Sequence, residues 1–222
     1  SVGGWLDLRG CDLSGVTLDM AQLAHAGVPS ALVSRLAQAY AEWLDAQESR
    51  LNDPELAEHR DTAAKAIADA RTIATRLEVG IELLKTDADA AEAFRFANWT
   101  MWTQRVRTLA ADRARRTEDD FGTCLAATDV PANRSWRPFQ LAFILLNLPS
   151  LTSPTSPERT GDPLVDLLFF PTGGGKTEAY LGLTAFTLAM RRHQGEIGGH
   201  SGGGGVGVLM RYTLRLLTSQ QF

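Results

Sequence analysis

Gly173, Gly174, Gly175, Lys176 and Thr177 stand in a row in a chain of 222 residues in which only three of the 22 basic residues are lysines. Successive glycines have no Cβ atoms, so their backbone N–H groups can wrap closely around dense negative charge. At the start of a helix, the unpaired N–H groups of the first turn add to that cradle. A triphosphate is the ligand that suits it. Lys176 offers a compact mobile charge able to reach β- and γ-phosphates, which a planar arginine fork would not imitate. The Thr177 hydroxyl is placed to hold Mg2+. Lys176 and Thr177 are therefore the expected catalytic residues, and Thr172, Gly173, Gly174, Gly175, Lys176 and Thr177 the expected nucleotide contacts, with Thr177 as the Mg2+ ligand. The general phosphate-loop pattern also wants a glycine at 170, where Phe170 stands.

Two other stretches place polar groups where they could serve the same chemistry. Arg137-Pro138-Phe139-Gln140 lies upstream, with Gln140 31 residues before Pro171; a helix-capping turn would carry the same residues. Downstream, Arg211, Thr213 and Arg215 follow an apolar run, and such arginines could equally decorate a surface helix. Arg105, Arg107, Arg113, Arg115 and Arg116 crowd the end of one predicted helix, where the helix dipole favours cations. The two cysteines, Cys11 and Cys124, and the histidines at 25, 59, 193 and 200 have no metal-ligand spacing. A net charge of −4 excludes binding of nucleic acid by bulk charge, so any such contact must be local. No apolar run approaches the ~18–20 residues of a membrane helix.

The elements that must position these residues fall into three parts. Residues 1–28 read as an irregular leading segment with a faint five-residue leucine period. Residues 29–133 read as a helical bundle: one helix from Pro29 to Arg50, a second from Pro54 to about Val79 that stops at Gly80, and a third from Asp87 or Asp89 to about Arg116. Residues 134–222 change in kind. A short apolar helix spans 141–148, and Pro149 opens a Pro/Ser/Thr-rich loop to 163. The run at 165–170 then reads as a buried strand, 177–194 as a helix, 206–210 as a second buried strand, and residues from 213 as another helix. Seven of the chain's twenty glycines fall in 195–205, which predicts a floppy insertion. The order β, loop, α, β, α is the opening of a parallel sheet, so the expected fold is α/β with an α-helical N-terminal bundle.

Pro171-Thr172-Gly173-x-Gly175-Lys176-Thr177 resembles motif I of superfamily 2 helicases, in which the first glycine of the general pattern is often absent. Arg137 to Gln140 is similar to that family's R-P-x-Q element, whose glutamine reads the adenine edge, which would give Gln140 a preference for ATP. Residues 208–220 resemble motif Ia, P-T-R-x-L-x-x-Q, which implies that Arg211, Thr213 and Arg215 hold the DNA backbone, with Tyr212 where the family usually has proline. The strings at 94–98, 136–143, 169–183 and 209–222 together resemble the helicase subunits of DISARM anti-phage defence systems. The likeness is good over about the last 130 residues and poor over the first 90. It implies a RecA-like ATPase domain starting at 134, a cytoplasmic bacterial motor driven by ATP and acting on DNA, and a partner subunit in a core complex.

A helicase motor also needs a carboxylate pair for Mg2+ and a second RecA-like domain with arginine fingers. Glu118-Asp119-Asp120, on no predicted strand, is a poor substitute, so the chain reads as a fragment, inactive by itself, of a larger protein. Two other classes fit less of the sequence: another phosphate-loop enzyme such as a small-molecule kinase, and a non-catalytic module that senses nucleotide. A carboxylate pair on a following strand would select the motor.

Overall fold

The computed structural model describes residues 8–160, 165–169, 173–197 and 199–211. Several helices start where the sequence supplies a capping carboxylate or a proline. The Asp19 carboxylate accepts the Ala21 N–H at 2.8 Å to open α1 (Met20–Ala24), and Pro29 sits in the first turn of α2 (Pro29–Ser49), where its missing N–H costs nothing. Asp87 then closes one 27-residue helix and opens another. Its backbone N–H donates to Leu83 at the end of α3 (Arg60–Thr86), and its side chain accepts from Ala90 at the start of α4 (Ala88–Ala114). Asp120 caps α5 (Phe121–Thr128) by accepting from Gly122 and Thr123. Two more helices follow, α6 (Pro138–Thr152) and α7 (Lys176–Gln194).

These helices share one apolar core. Leu36, Tyr40 and Leu44 of α2 meet Ile73, Leu77 and Leu84 of α3, and the cluster runs on through Phe94 and Met101 of α4, Leu141, Leu145 and Leu148 of α6, and Phe186 and Met190 of α7. Trp136 and Asn98 pair their polar groups inside it, as burial demands. The Trp136 indole donates to Asn98 Oδ1 at 2.7 Å, and Asn98 Nδ2 donates back to the Phe94 carbonyl at 2.8 Å. Residues 18–20 run antiparallel to 134–136, with the Met20 N–H on the Arg134 carbonyl and the Trp136 N–H on the Leu18 carbonyl. Arg134 bridges Asp19 and Asp129 beneath the Trp102 ring. The start of α6 is thereby fixed from both sides.

The second helix does not start at Pro54, which opens only a 3-10 turn (Pro54–Leu56) before α3 begins at Arg60, and two further helix boundaries differ from expectation for one shared reason. Gly80, expected as a C-cap, lies buried inside α3, where a Cβ would collide with the Leu145 carbonyl oxygen of α6. Pro149, expected to begin a loop, lies inside α6, which continues to Thr152. Proline has no N–H to return to the carbonyl four residues earlier, and that carbonyl is Leu145. The glycine serves close approach of two helices at the point where the proline leaves an oxygen open.

The expected α/β fold with the start of a RecA-like parallel sheet is not present. Among the described residues the fold is α-helical, and its one sheet is a two-stranded antiparallel hairpin, β1 (Glu196–Ile197) with β2 (His200–Ser201), inside the glycine-rich stretch expected to be unstructured. Residues 165–169 and 206–210 form no strand. Val165 and Leu167 are 90% and 84% exposed, and Leu209 89%, rather than buried. The physical reason is that a helix closes its own hydrogen bonds, whereas a strand exists only beside another; apolar character alone supplies no partner. The expected helix from 213 lies outside the described residues.

Candidate functional site

The N-terminus of α7 follows two residues in left-handed conformations. Gly173 has φ of 77° and Gly175, the residue capping the helix, has φ of 88° and ψ of 27°. Only glycine takes such angles without strain, which is why the turn is built from it. Among the described residues no side chain caps α7. A Cβ at 173 would meet open space, whereas one at 175 would run into Gln140 Nε2 at 2.7 Å. The turn thus has one face backed by protein and one face open.

The backing comes from the start of α6. Gln140, 4% exposed, accepts the Arg137 N–H on its side-chain oxygen at 2.7 Å and donates from Nε2 to the Gly175 carbonyl at 2.7 Å. Arg137 Nη1 donates to the Gly174 carbonyl at 2.8 Å. The tetrapeptide is therefore both a helix cap and a clamp on the glycine turn. Gly182 secures the register of α7 on α6, since a Cβ there would sit 2.9 Å from both Trp136 and Ile144. Along the edge of the loop, Arg105 of α4 comes to 4.0 Å from Glu178 in the first turn of α7. Thr177 is exposed and Lys176 half-buried.

The structure thus brings together Gln140, Gly173, Gly174, Gly175, Lys176 and Thr177. Thr172, Thr213 and Arg215 lie outside the described residues. Arg211 is exposed in an irregular segment and makes no hydrogen bond or ion pair with the loop among the described residues. Sequence reasoning passed over two arginines. Arg137 was legible as part of its tetrapeptide but not as a clamp. Arg76 of α3 carries no sequence signal, because its partners lie 82 and 90 residues away: it pairs with Glu158 at 2.6 Å and with both oxygens of Asp166 at 2.7 and 2.8 Å. Asp166, and behind it Glu158, hold this guanidinium protonated against the opposing effect of burial. Asp166 tethers 165–169, the segment that leads into the loop.

An open glycine turn on a helix N-terminus, with a lysine and an exposed hydroxyl in the first turn, fits a phosphate group and a cation such as Mg2+. Among the described residues no three His, Cys, Asp or Glu side chains gather to hold a metal by themselves.

No family model matches the chain. Over 193 residues it is 41% identical to the DISARM protein DrmA of Bacillus paralicheniformis, and this match covers 85% of the chain and 16% of that protein. The chain is related to a DISARM protein and spans about a sixth of that relative's length. Among the described residues no helix is long and apolar enough to cross a membrane.

Proposed function

We propose that the chain is the ATP-binding part of a superfamily 2 DNA helicase or translocase that acts in anti-phage defence in the bacterial cytoplasm, within a complex that includes another DISARM subunit. In this reading 1–28 is an entry segment, 29–133 a helical bundle, and 134–222 carry the nucleotide site. One observation supports this reading most: the Gly173–Gly174–Gly175 turn, left-handed at both ends, opens α7 with Lys176 and Thr177 and is clamped from behind by Gln140 and Arg137. Kinship with the DISARM protein supplies the defence context.

Bound Mg2+–ATP would supply the phosphoanhydride whose hydrolysis drives movement on DNA. The chain's own groups act on its charge. N–H groups at the head of α7 donate to phosphate oxygens, Lys176 neutralises charge as the γ-phosphate departs, and the Thr177 hydroxyl holds the cation. Arg211, Thr213 and Arg215 would hold DNA phosphates, blind to base sequence.

The test is DNA-stimulated phosphate release by the full-length protein, with the Arg211→Ala/Arg215→Ala double variant beside it. The double variant should weaken binding of two unrelated oligonucleotides equally and flatten log K against log salt by roughly 0.7 to 0.9 for each DNA phosphate no longer neutralised. Nucleotide affinity should be retained. An unchanged slope with unchanged affinity removes DNA binding by these arginines from the reading, and phosphate release indifferent to DNA removes the motor.

A further inference from the structure

Gln140 is the most buried polar side chain of the site, and both of its amide atoms are committed within the chain. Reading a base edge would require one acceptor and one donor turned outward together. Here the oxygen is held by the Arg137 N–H and the nitrogen by the Gly175 carbonyl. Burial around the amide leaves a base no approach to it.

The clamp does have a consequence for an anion. In a trans peptide the C=O of one residue and the N–H of the next point in opposite directions, and no described peptide is cis. With the Gly175 carbonyl drawn toward α6 by Gln140, the Lys176 N–H is turned away from α6. Arg137 does the same one peptide earlier, so that drawing in the Gly174 carbonyl turns out the Gly175 N–H. Both carbonyls are thus held away from the open side of the turn, where Gly173 leaves space and where they would repel an anion. The close approach also explains the glycine at 175, since any Cβ there would displace the Gln140 amide.

We infer that Gln140 is a positioning residue that recognises the phosphate loop and not the nucleobase, so that the site selects a triphosphate with no base discrimination supplied by Gln140. This rests on the phosphate-loop reading of the proposed function. With both carbonyls tied back, the loop is already arranged for the anion before it arrives, and ligand affinity gains by what need not be ordered on binding.

Calorimetry on the full-length protein with Mg2+ and three probes, ATP, GTP and inorganic tripolyphosphate, tests the inference on Gln140→Ala and Gln140→Glu. The glutamate keeps an acceptor for the Arg137 N–H, so α6 stays capped, but it loses the donor to Gly175 and buries a carboxylate, so the alanine, which adds no charge, separates the lost hydrogen bond from the added charge. Both variants should bind all three probes more weakly by a similar factor, about 5- to 30-fold for removal of a buried hydrogen bond, with the ATP-to-GTP ratio unchanged. The loss of tripolyphosphate affinity in Gln140→Ala, which adds no charge, measured well below each variant's melting temperature, is the readout that a merely structural role would not move. A loss confined to ATP, or no loss for any probe, overturns the inference. A wild-type protein that binds none of the probes overturns the phosphate-loop reading instead. In that event amide exchange at 175 and 176 in the ligand-free protein still judges the clamp: slower exchange in Gln140→Ala, as the released peptides turn their N–H groups inward, upholds it, and equal exchange overturns it.

Discussion

Residues 141–148 and residues 165–169 are both apolar runs, yet the first is sealed in α6 between α3 and α7 while the second shows Val165, Leu167 and Phe169 to solvent. The two differ in where their backbone partners come from. A helix satisfies its N–H and C=O groups within four residues, so apolar side chains need only a second helix to lie on. An extended segment alternates its side chains and must borrow a neighbour for its backbone. In 165–169 the alternation is visible: 166 and 168 are half-buried and the odd positions are exposed, with Asp166 tied to Arg76. Apolarity therefore indicates what a segment can bury, and hydrogen-bond supply decides whether it does.

If burial at the α3–α6 crossing holds the helical region together, Gly80→Ala should be the most damaging small change. Its methyl would strike the Leu145 carbonyl, and overpacking of this kind costs about 2–3 kcal/mol in chemical denaturation. Trp136→Phe should follow at about 1–3 kcal/mol, because Asn98 Oδ1 would be left buried without its donor.

Asp129 should contribute to the loss of stability in acid. Burial raises its pKa, but hydrogen bonds from Arg134 and Trp102 outweigh this and hold it below the ordinary carboxylate range. A depressed folded value contributes stability that is present above the unfolded pKa and lost as pH falls through the folded one. The melting temperature should accordingly drop on the acid side, and Asp129→Asn should flatten that drop while lowering stability at neutral pH. The smallest effect belongs to the other region: Leu167→Ser should change stability by less than about 0.5 kcal/mol, as exposed positions do. A loss above about 2 kcal/mol there would break the comparison.

How much of this was legible follows the same division. Asp87 and Pro29 mark helix ends by local chemistry, and the structure uses both as the sequence suggests, whereas α5, capped by Asp120, was not expected. Gly80 and Pro149 were misleading because each is a local helix breaker recruited to a contact between segments 65 residues apart, which no window along the chain can see. The sheet failed for a related reason, since strand pairing is the least local of the regular structures. The site itself was legible at the glycine turn, whose residue types are dictated by backbone angles and by the charge they face. Its support was not, because the Arg137 and Gln140 bonds to Gly174 and Gly175 cross more than thirty residues.

The central claim is that the turn at 173–177 holds the phosphates of a nucleotide for hydrolysis. Steady-state phosphate release by the full-length protein, wild type against Lys176→Ala with Mg2+–ATP, tests it most directly. Removing a preorganised charge from the departing phosphate should lower kcat/KM by roughly 100-fold or more. Equal turnover by the two proteins would contradict the claim.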